Sequence, residues 1–312
     1  MDWLLLIVGL SLVTFGATWL TNGSVAFAKR LNISEYIIGM TIVAIGTSLP
    51  ELTVSAASTF AGKADMAIGN VVGSNILNIF LILGTCSLIA PIAFSRNNIR
   101  FDIPICIAVS ALVAIMLYDG SLSRIEGIIL LLLFIATIVY AFVSNKGDAE
   151  ISNAESDNTP KTPLWRDILL IVLGLSMLIY GASLTLDSAT NIARALGISE
   201  SIIAISVLAL GTSLPELAAG IAAMCKGHSA LALGNVLGSN IANILLILGF
   251  CSTISPLTMS DITYIDITTM VVAAIAVLIS AFAIGHRQIT RSEGVIYLLA
   301  YTAYIWYLIS QH

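Results

Sequence analysis

The sequence predicts an all-α polytopic membrane protein, with ten transmembrane helices arranged as two inverted five-helix repeats. Three observations carry that reading. Of the 312 residues, 58% are apolar and only 10% are charged, with a mean hydropathy of +1.00; a soluble domain carries about 25% charged residues. The apolar residues fall in runs close to the ~20 that a helix needs to cross a bilayer. Finally, "GTSLPEL" occurs twice, at 46–52 and 211–217, inside runs where a glutamate is costly.

The first run, 3–28, is apolar from Trp3 and has neither a basic leader nor a small-residue cleavage site, so it reads as a helix rather than a cleaved signal. The second, 36–61, holds the first Pro-Glu pair. The third, 66–90, holds "GNVVGSNILNI" at 69–79, and the fourth and fifth cover 100–118 and 124–143. Residues 144–164 break the pattern with four acids, two lysines and two prolines, and read as a linker too short to fold alone. Five more runs follow at 167–193, 201–224, 230–254, 262–284 and 292–310.

The second set repeats the first. "GNVLGSNIANI" at 234–244 lies 165 positions after its counterpart, the same offset that separates the two "GTSLPEL" copies. A constant offset without gaps marks a duplicated unit. Residues 1–143 therefore form one five-helix repeat with motifs at 44–55 and 69–79, and 144–164 the linker. Residues 165–312 form the second repeat, with motifs at 209–220 and 234–244. An odd number of spans turns the second copy over in the membrane. That is the inverted architecture of secondary transporters, whose site lies at mid-bilayer between the repeats.

Basic residues set the orientation. One set of loops and helix ends carries Lys29, Arg30, Arg96, Arg100, Lys146, Lys161, Arg166, Lys226, Arg287 and Arg291, and the other only Lys63, Arg124 and Arg194. The rich side is expected in the cytoplasm. Both termini are then outside and the 144–164 linker is cytoplasmic, in a multi-pass membrane protein.

The motifs suit cations. Pro50 and Pro215 remove a backbone donor and clash one turn back, so spans two and seven are expected to break there. The carbonyls of Ala44–Thr47 and Ala209–Thr212 are expected to be freed. Thr47, Ser48 and Glu51 share a helix face, as do Thr212, Ser213 and Glu216. Asn70, Ser74 and Asn78 recur every fourth residue along another helix, and Asn235, Ser239 and Asn243 repeat them. Carboxylates, hydroxyls, amides and carbonyls are hard oxygen ligands of the kind sodium and calcium take. A single Ser or Thr is as readily explained by bonding to its own helix, and Asn70 or Asn235 by helix packing. Glu51 and Glu216 are not so explained, because an ionisable residue this deep in the membrane is a functional residue.

The doubled "GTSLPE" and "GNVVGSNILN"/"GNVLGSNIAN" motifs resemble the alpha repeats of the sodium/calcium exchanger family, within the calcium/cation antiporter superfamily, in its short prokaryotic form. The resemblance covers essentially the whole chain. It implies that Glu51 and Glu216 are shared ligands for calcium and sodium, with Thr47 and Thr212 contributing backbone oxygens. It places Ser48, Ser74, Ser213 and Ser239 at flanking sodium sites with the Ala44 and Ala209 carbonyls, and Asn78 and Asn243 at the centre. Relatives that use potassium carry aspartate where this chain has Asn243, which argues against potassium dependence here.

The expected function is electrogenic exchange of sodium for calcium by alternating access, with calcium extruded. The alternatives are a proton-coupled or broader divalent-cation exchanger and, more remotely, a cation channel. No cofactor is expected beyond the transported Na+ and Ca2+, and the partners are these ions and the lipid bilayer. No basic stripe suits nucleic acid, and no obligatory protein partner is evident. No nucleophile–base pair or metal-binding histidine cluster points to an enzyme. Cys86, Cys106, Cys225 and Cys251 form no CxxC pair and read as small packed residues.

Overall fold

The computed structural model describes residues 1–144, 163–196, 211–260, 262–283 and 287–311. Its helices are α1 (Asp2–Leu31), α2 (Glu35–Thr47), α3 (Leu49–Phe60), α4 (Ala64–Ile89), α5 (Asn98–Asp119) and α6 (Arg124–Ser144). They continue with α7 (Leu164–Ala195), α8 (Leu214–Cys225), α9 (Ser229–Ile254), α10 (Tyr264–Phe282) and α11 (Arg291–Gln311). Among the described residues, seven helices are long and apolar enough to cross a bilayer, and eight if the bent pair α2/α3 counts as one.

Local chemistry sets the boundaries. Asn32 ends α1 in the left-handed region at φ 52° and returns its N–H to the last turn. Ser34 caps α2 by accepting the Ile37 N–H. Thr263 and Asp266 form a capping box that starts α10 two residues later than the hydropathy run suggests. Between the helices of this all-α fold, two short loop pairings form: β1 (Ile92–Ala93) with β4 (Gln288–Ile289), and β2 (Ser121–Leu122) with β3 (Leu257–Thr258). These loops lie side by side where the helices end, and pairing satisfies backbone groups that have no helix to bond to.

Burial separates the helices into two kinds. The central apolar window of α9 is 94% buried and that of α4 72%, against 33% for α1, 28% for α7 and 22% for α6. The core helices are capped from outside. Arg124, at the start of α6, donates to the Ile254 carbonyl at the end of α9 (3.2 Å). Arg291, at the start of α11, donates to the Ile89 carbonyl at the end of α4 (3.1 Å). Each arginine meets orphan carbonyls at the negative end of a helix dipole.

α1 and α7 form a separate antiparallel pair held at backbone distance. A Cβ added at Gly16 would lie 2.8 Å from the Gly174 carbonyl oxygen, and one at Gly181 would lie 2.9 Å from that of Gly9. Small residues every seventh position allow this approach, which in lipid replaces hydrophobic burial as the source of helix association. At one end of the pair the Arg30 guanidinium binds the buried Asp167 carboxylate at 2.9 Å. Gly174→Val is expected to force the two helices apart and to lower the melting temperature in fluorescence-detected size exclusion, since overpacking costs about 1–3 kcal/mol or more. An unchanged melting curve would show that α1 and α7 do not depend on this contact.

Candidate ion-binding site

Helix breaks place the two glutamates. α2 and α3 meet at Ser48 with a 43° bend. Ser48 has φ −83° and ψ 6°, and the equivalent Ser213 has φ −89° and ψ 7°, so both copies of the motif adopt one conformation. Pro50 and Pro215 occupy the first turns of α3 and α8, where a missing N–H costs nothing. Glu51 and Glu216 follow in those same turns, where unpaired N–H groups favour a negative charge. Both side chains are fully buried, at 0% exposure.

The two copies of the motif hold each other's carboxylates. Ser48 Oγ donates to Glu216 Oε1 and Ser213 Oγ to Glu51 Oε1, each at 3.0 Å. Asn70 Nδ2 donates to the Glu51 backbone carbonyl (3.2 Å) and Asn235 Nδ2 to that of Glu216 (3.4 Å). Each of these bonds has a counterpart 165 positions away in both partners. Glu51 Oε2 and Glu216 Oε2 have no partner.

A second exchange joins α4 and α9 beside them. Asn75 Nδ2 donates to the Asn240 backbone carbonyl (3.1 Å), and Asn240 Nδ2 to that of Asn75 (3.2 Å). Asn78 Nδ2 donates to Asn240 Oδ1 and Asn243 Nδ2 to Asn75 Oδ1, both at 3.0 Å. Asn78 and Asn243 each open a π-helical turn, Asn78–Leu83 and Asn243–Leu248, a widened geometry frequent at functional sites. Their Oδ1 atoms are buried and unpartnered. Of eight such buried orphan atoms among the described residues, four are these amide and carboxylate oxygens, and all four accept only. An unsatisfied buried acceptor costs ~1–3 kcal/mol. A cation is the ligand that an acceptor-only set matches.

The other expected residues fall as follows. Ser74 Oγ lies 3.4 Å from Ser213 Oγ, one helical turn from Asn78. Ser239 Oγ donates to the Ala44 carbonyl at 3.5 Å. That carbonyl is not free as expected, because Ser48 N–H also reaches it at 3.0 Å across the break. Proline at position 50 removes the donor one turn after Gly46, so the break spares the bond that closes on Ala44. Thr47 Oγ1 donates toward the Ala44 carbonyl (3.3 Å) and Asn235 Oδ1 (3.2 Å). Thr212 sits half-buried in the turn before Ser213. Ala209 lies outside the described residues. Asn75 and Asn240 fall outside the every-fourth-residue pattern that picks out the other asparagines, although the recurrence of "SNILN" as "SNIAN" marks them as a repeated pair.

Buried paired carboxylates, ringed by hydroxyls and amides at breaks in membrane helices, define a class: a membrane carrier that binds cations at its centre. Residues 1–143 and 167–310 match the sodium/calcium exchanger protein family, and the chain belongs to that family. It is a transporter, not an enzyme. It is 39% identical to CaxA of Alkalimonas amylolytica over 97% of both chains. It is 31% identical to the sodium/calcium exchanger MaX1 of Methanosarcina acetivorans, again over 97% of both. Its structure superimposes on that of the sodium-calcium exchanger NCX_Mj, soaked with zero Na+ and Ca2+, with a TM-score of 0.86, 32% identity and 98% coverage of each chain.

Asn235→Leu removes the donor to the Glu216 carbonyl and the acceptor for Thr47 at nearly constant volume. The expected result is a stability loss of about 1–3 kcal/mol, seen as a lower melting temperature of the purified protein. An unchanged value would mean that these bonds do not hold the α8 break in place.

Proposed function

We propose that Glu51 and Glu216 are shared ligands for one calcium ion or for sodium ions, and that the chain exchanges the two electrogenically across the plasma membrane. The observation that carries this reading is the set of four buried, unpartnered acceptor oxygens on Glu51, Glu216, Asn78 and Asn243. With both glutamates ionised the site carries two negative charges. A single divalent ion neutralises them, and so do two sodium ions, while a third leaves an excess positive charge. Because the loads compete for the same oxygens, the site holds one or the other. An empty, doubly charged site is costly to move through the low-dielectric barrier, so the carrier reorients only when loaded.

In this reading Thr47 and Thr212 add backbone oxygens. Ser48, Ser74, Ser213 and Ser239 serve flanking sodium positions with the carbonyls of Ala44 and Ala209. The chain crosses the membrane ten times as two inverted repeats, residues 1–143 and 165–312, joined by a cytoplasmic linker. The reciprocal bonds between equivalent residues support a two-fold relation between the copies, and the odd number of crossings sets its axis in the membrane plane. The lipid-exposed α1–α7 pair slides against the core to alternate access.

Two measurements test the proposal. Proteoliposomes loaded with sodium are expected to take up calcium-45, while potassium-loaded and acid-loaded vesicles do not. Uptake driven by the proton gradient would overturn sodium coupling. Glu51→Gln or Glu216→Gln is expected to abolish uptake, and normal exchange by either variant would refute the shared-ligand role. Orientation has its own assay. Cys225 is exposed beside Lys226 while Cys86, Cys106 and Cys251 are buried, so an impermeant maleimide is expected to label Cys225 from the cytoplasmic side only. Labelling from outside intact cells would invert the proposed topology.

A further inference from the structure

We infer that Asn75 and Asn240 are positioning residues, which set the amide orientation of Asn243 and Asn78 so that oxygen rather than nitrogen faces the ion. The inference rests on the reading of Asn78 and Asn243 as ligands. A primary amide presents two ends of nearly equal size, one an acceptor and the other a donor of two hydrogens. Rotated by half a turn, the same side chain offers a cation an NH2 group instead of an oxygen. Some fixed partner must choose between the two.

The four asparagines form a chain of such choices that begins at groups unable to flip. The Asn240 backbone carbonyl can only accept, so the Asn75 amide nitrogen must point to it (3.1 Å). The Asn75 oxygen is thereby turned to the Asn243 nitrogen (3.0 Å), and the Asn243 oxygen is left facing away, without a protein partner. The mirror path runs from the Asn75 carbonyl through Asn240 to Asn78. Asn75, Asn78 and Asn240 are 1% exposed and Asn243 0%, so the contacts are nearly closed to solvent. In each path the ligand lies in one copy of the motif and its orienting residue in the other. Outer residues that fix the tautomer or rotamer of a ligand typically change affinity tenfold or more when removed.

A double-mutant cycle separates orientation from simple helix packing, because a carboxylate has no wrong end. Calcium binding to the purified protein is measured by equilibrium dialysis with calcium-45. Asn75→Leu is expected to raise the half-saturating calcium concentration about tenfold. In a chain that already carries Asn243→Asp, the same change is expected to raise it less than about twofold, whereas independent sites would lose the same amount in both backgrounds to within about twofold. Equal losses in both backgrounds, or no loss in the first, would overturn the positioning role. If Asn75→Leu does not elute as a single folded species, Asn75→Ser takes its place, and Asn240→Leu with Asn78→Asp supplies the mirror cycle. Glu51→Gln, assayed alongside, distinguishes the two possible failures. If it binds calcium normally the site itself is wrong; if it does not bind and the cycle shows no coupling, only the positioning role fails.

Discussion

Glu51 and Glu216 each receive one serine hydroxyl from the opposite copy of the motif and keep a second carboxylate oxygen without a partner. A carboxylate at the centre of a membrane helix costs about 2.5–3.5 kcal/mol on insertion scales, so two of them constrain everything around them. Both glutamates stand in the first turn of a helix, where the dipole favours a negative charge. The break at Ser48 is tolerated because it faces protein and polar side chains rather than lipid. The two helices that line the site, α4 and α9, are accordingly the most buried of the long helices.

Reciprocity is the second principle of the structure. Bonds from Ser48, Ser213, Asn75, Asn78, Asn240 and Asn243 all cross between the copies, so neither motif completes its polar groups alone. Polar groups thus join the centre, and the periphery is joined differently. α1 and α7 meet through glycines at backbone distance, and α6 and α11 reach the core through arginine caps. The centre is thus held by hydrogen bonds between the copies, and the α1–α7 pair by close backbone packing within itself.

The exchange symmetry is not complete. Lys226 donates to the Thr18 carbonyl (3.0 Å) and Asn22 Oδ1 (2.7 Å), tying the end of α8 to α1. His228 meets Glu35 at 2.9 Å across the α1–α2 and α8–α9 turns. The position 165 earlier than Lys226 is Ala61, which has no side-chain donor to repeat that contact. Duplication supplied a common frame, and substitution then gave its two copies different side-chain contacts.

Hydropathy along the chain locates most of the described helices to within a few residues, because in lipid a helix must satisfy its own backbone and so declares itself by length and apolarity. Recurrence at 165 positions singles out the residues of the centre, and cost alone singles out Glu51 and Glu216. Partner choice is not legible in the same way. The every-fourth-residue pattern separates Asn78 from Asn75, but it does not reveal that Asn75 orients while Asn78 exposes an oxygen. Nor does the sequence reveal that the Ala44 carbonyl keeps a bond across the break, or that loops far apart in the chain pair as β1–β4 and β2–β3. Composition and period act within one segment at a time, so they specify helices, repeats and the costly residues. Which oxygen remains unpaired depends on the register of α4 against α9 across the two copies, a relation between distant segments that exists only once the helices have packed.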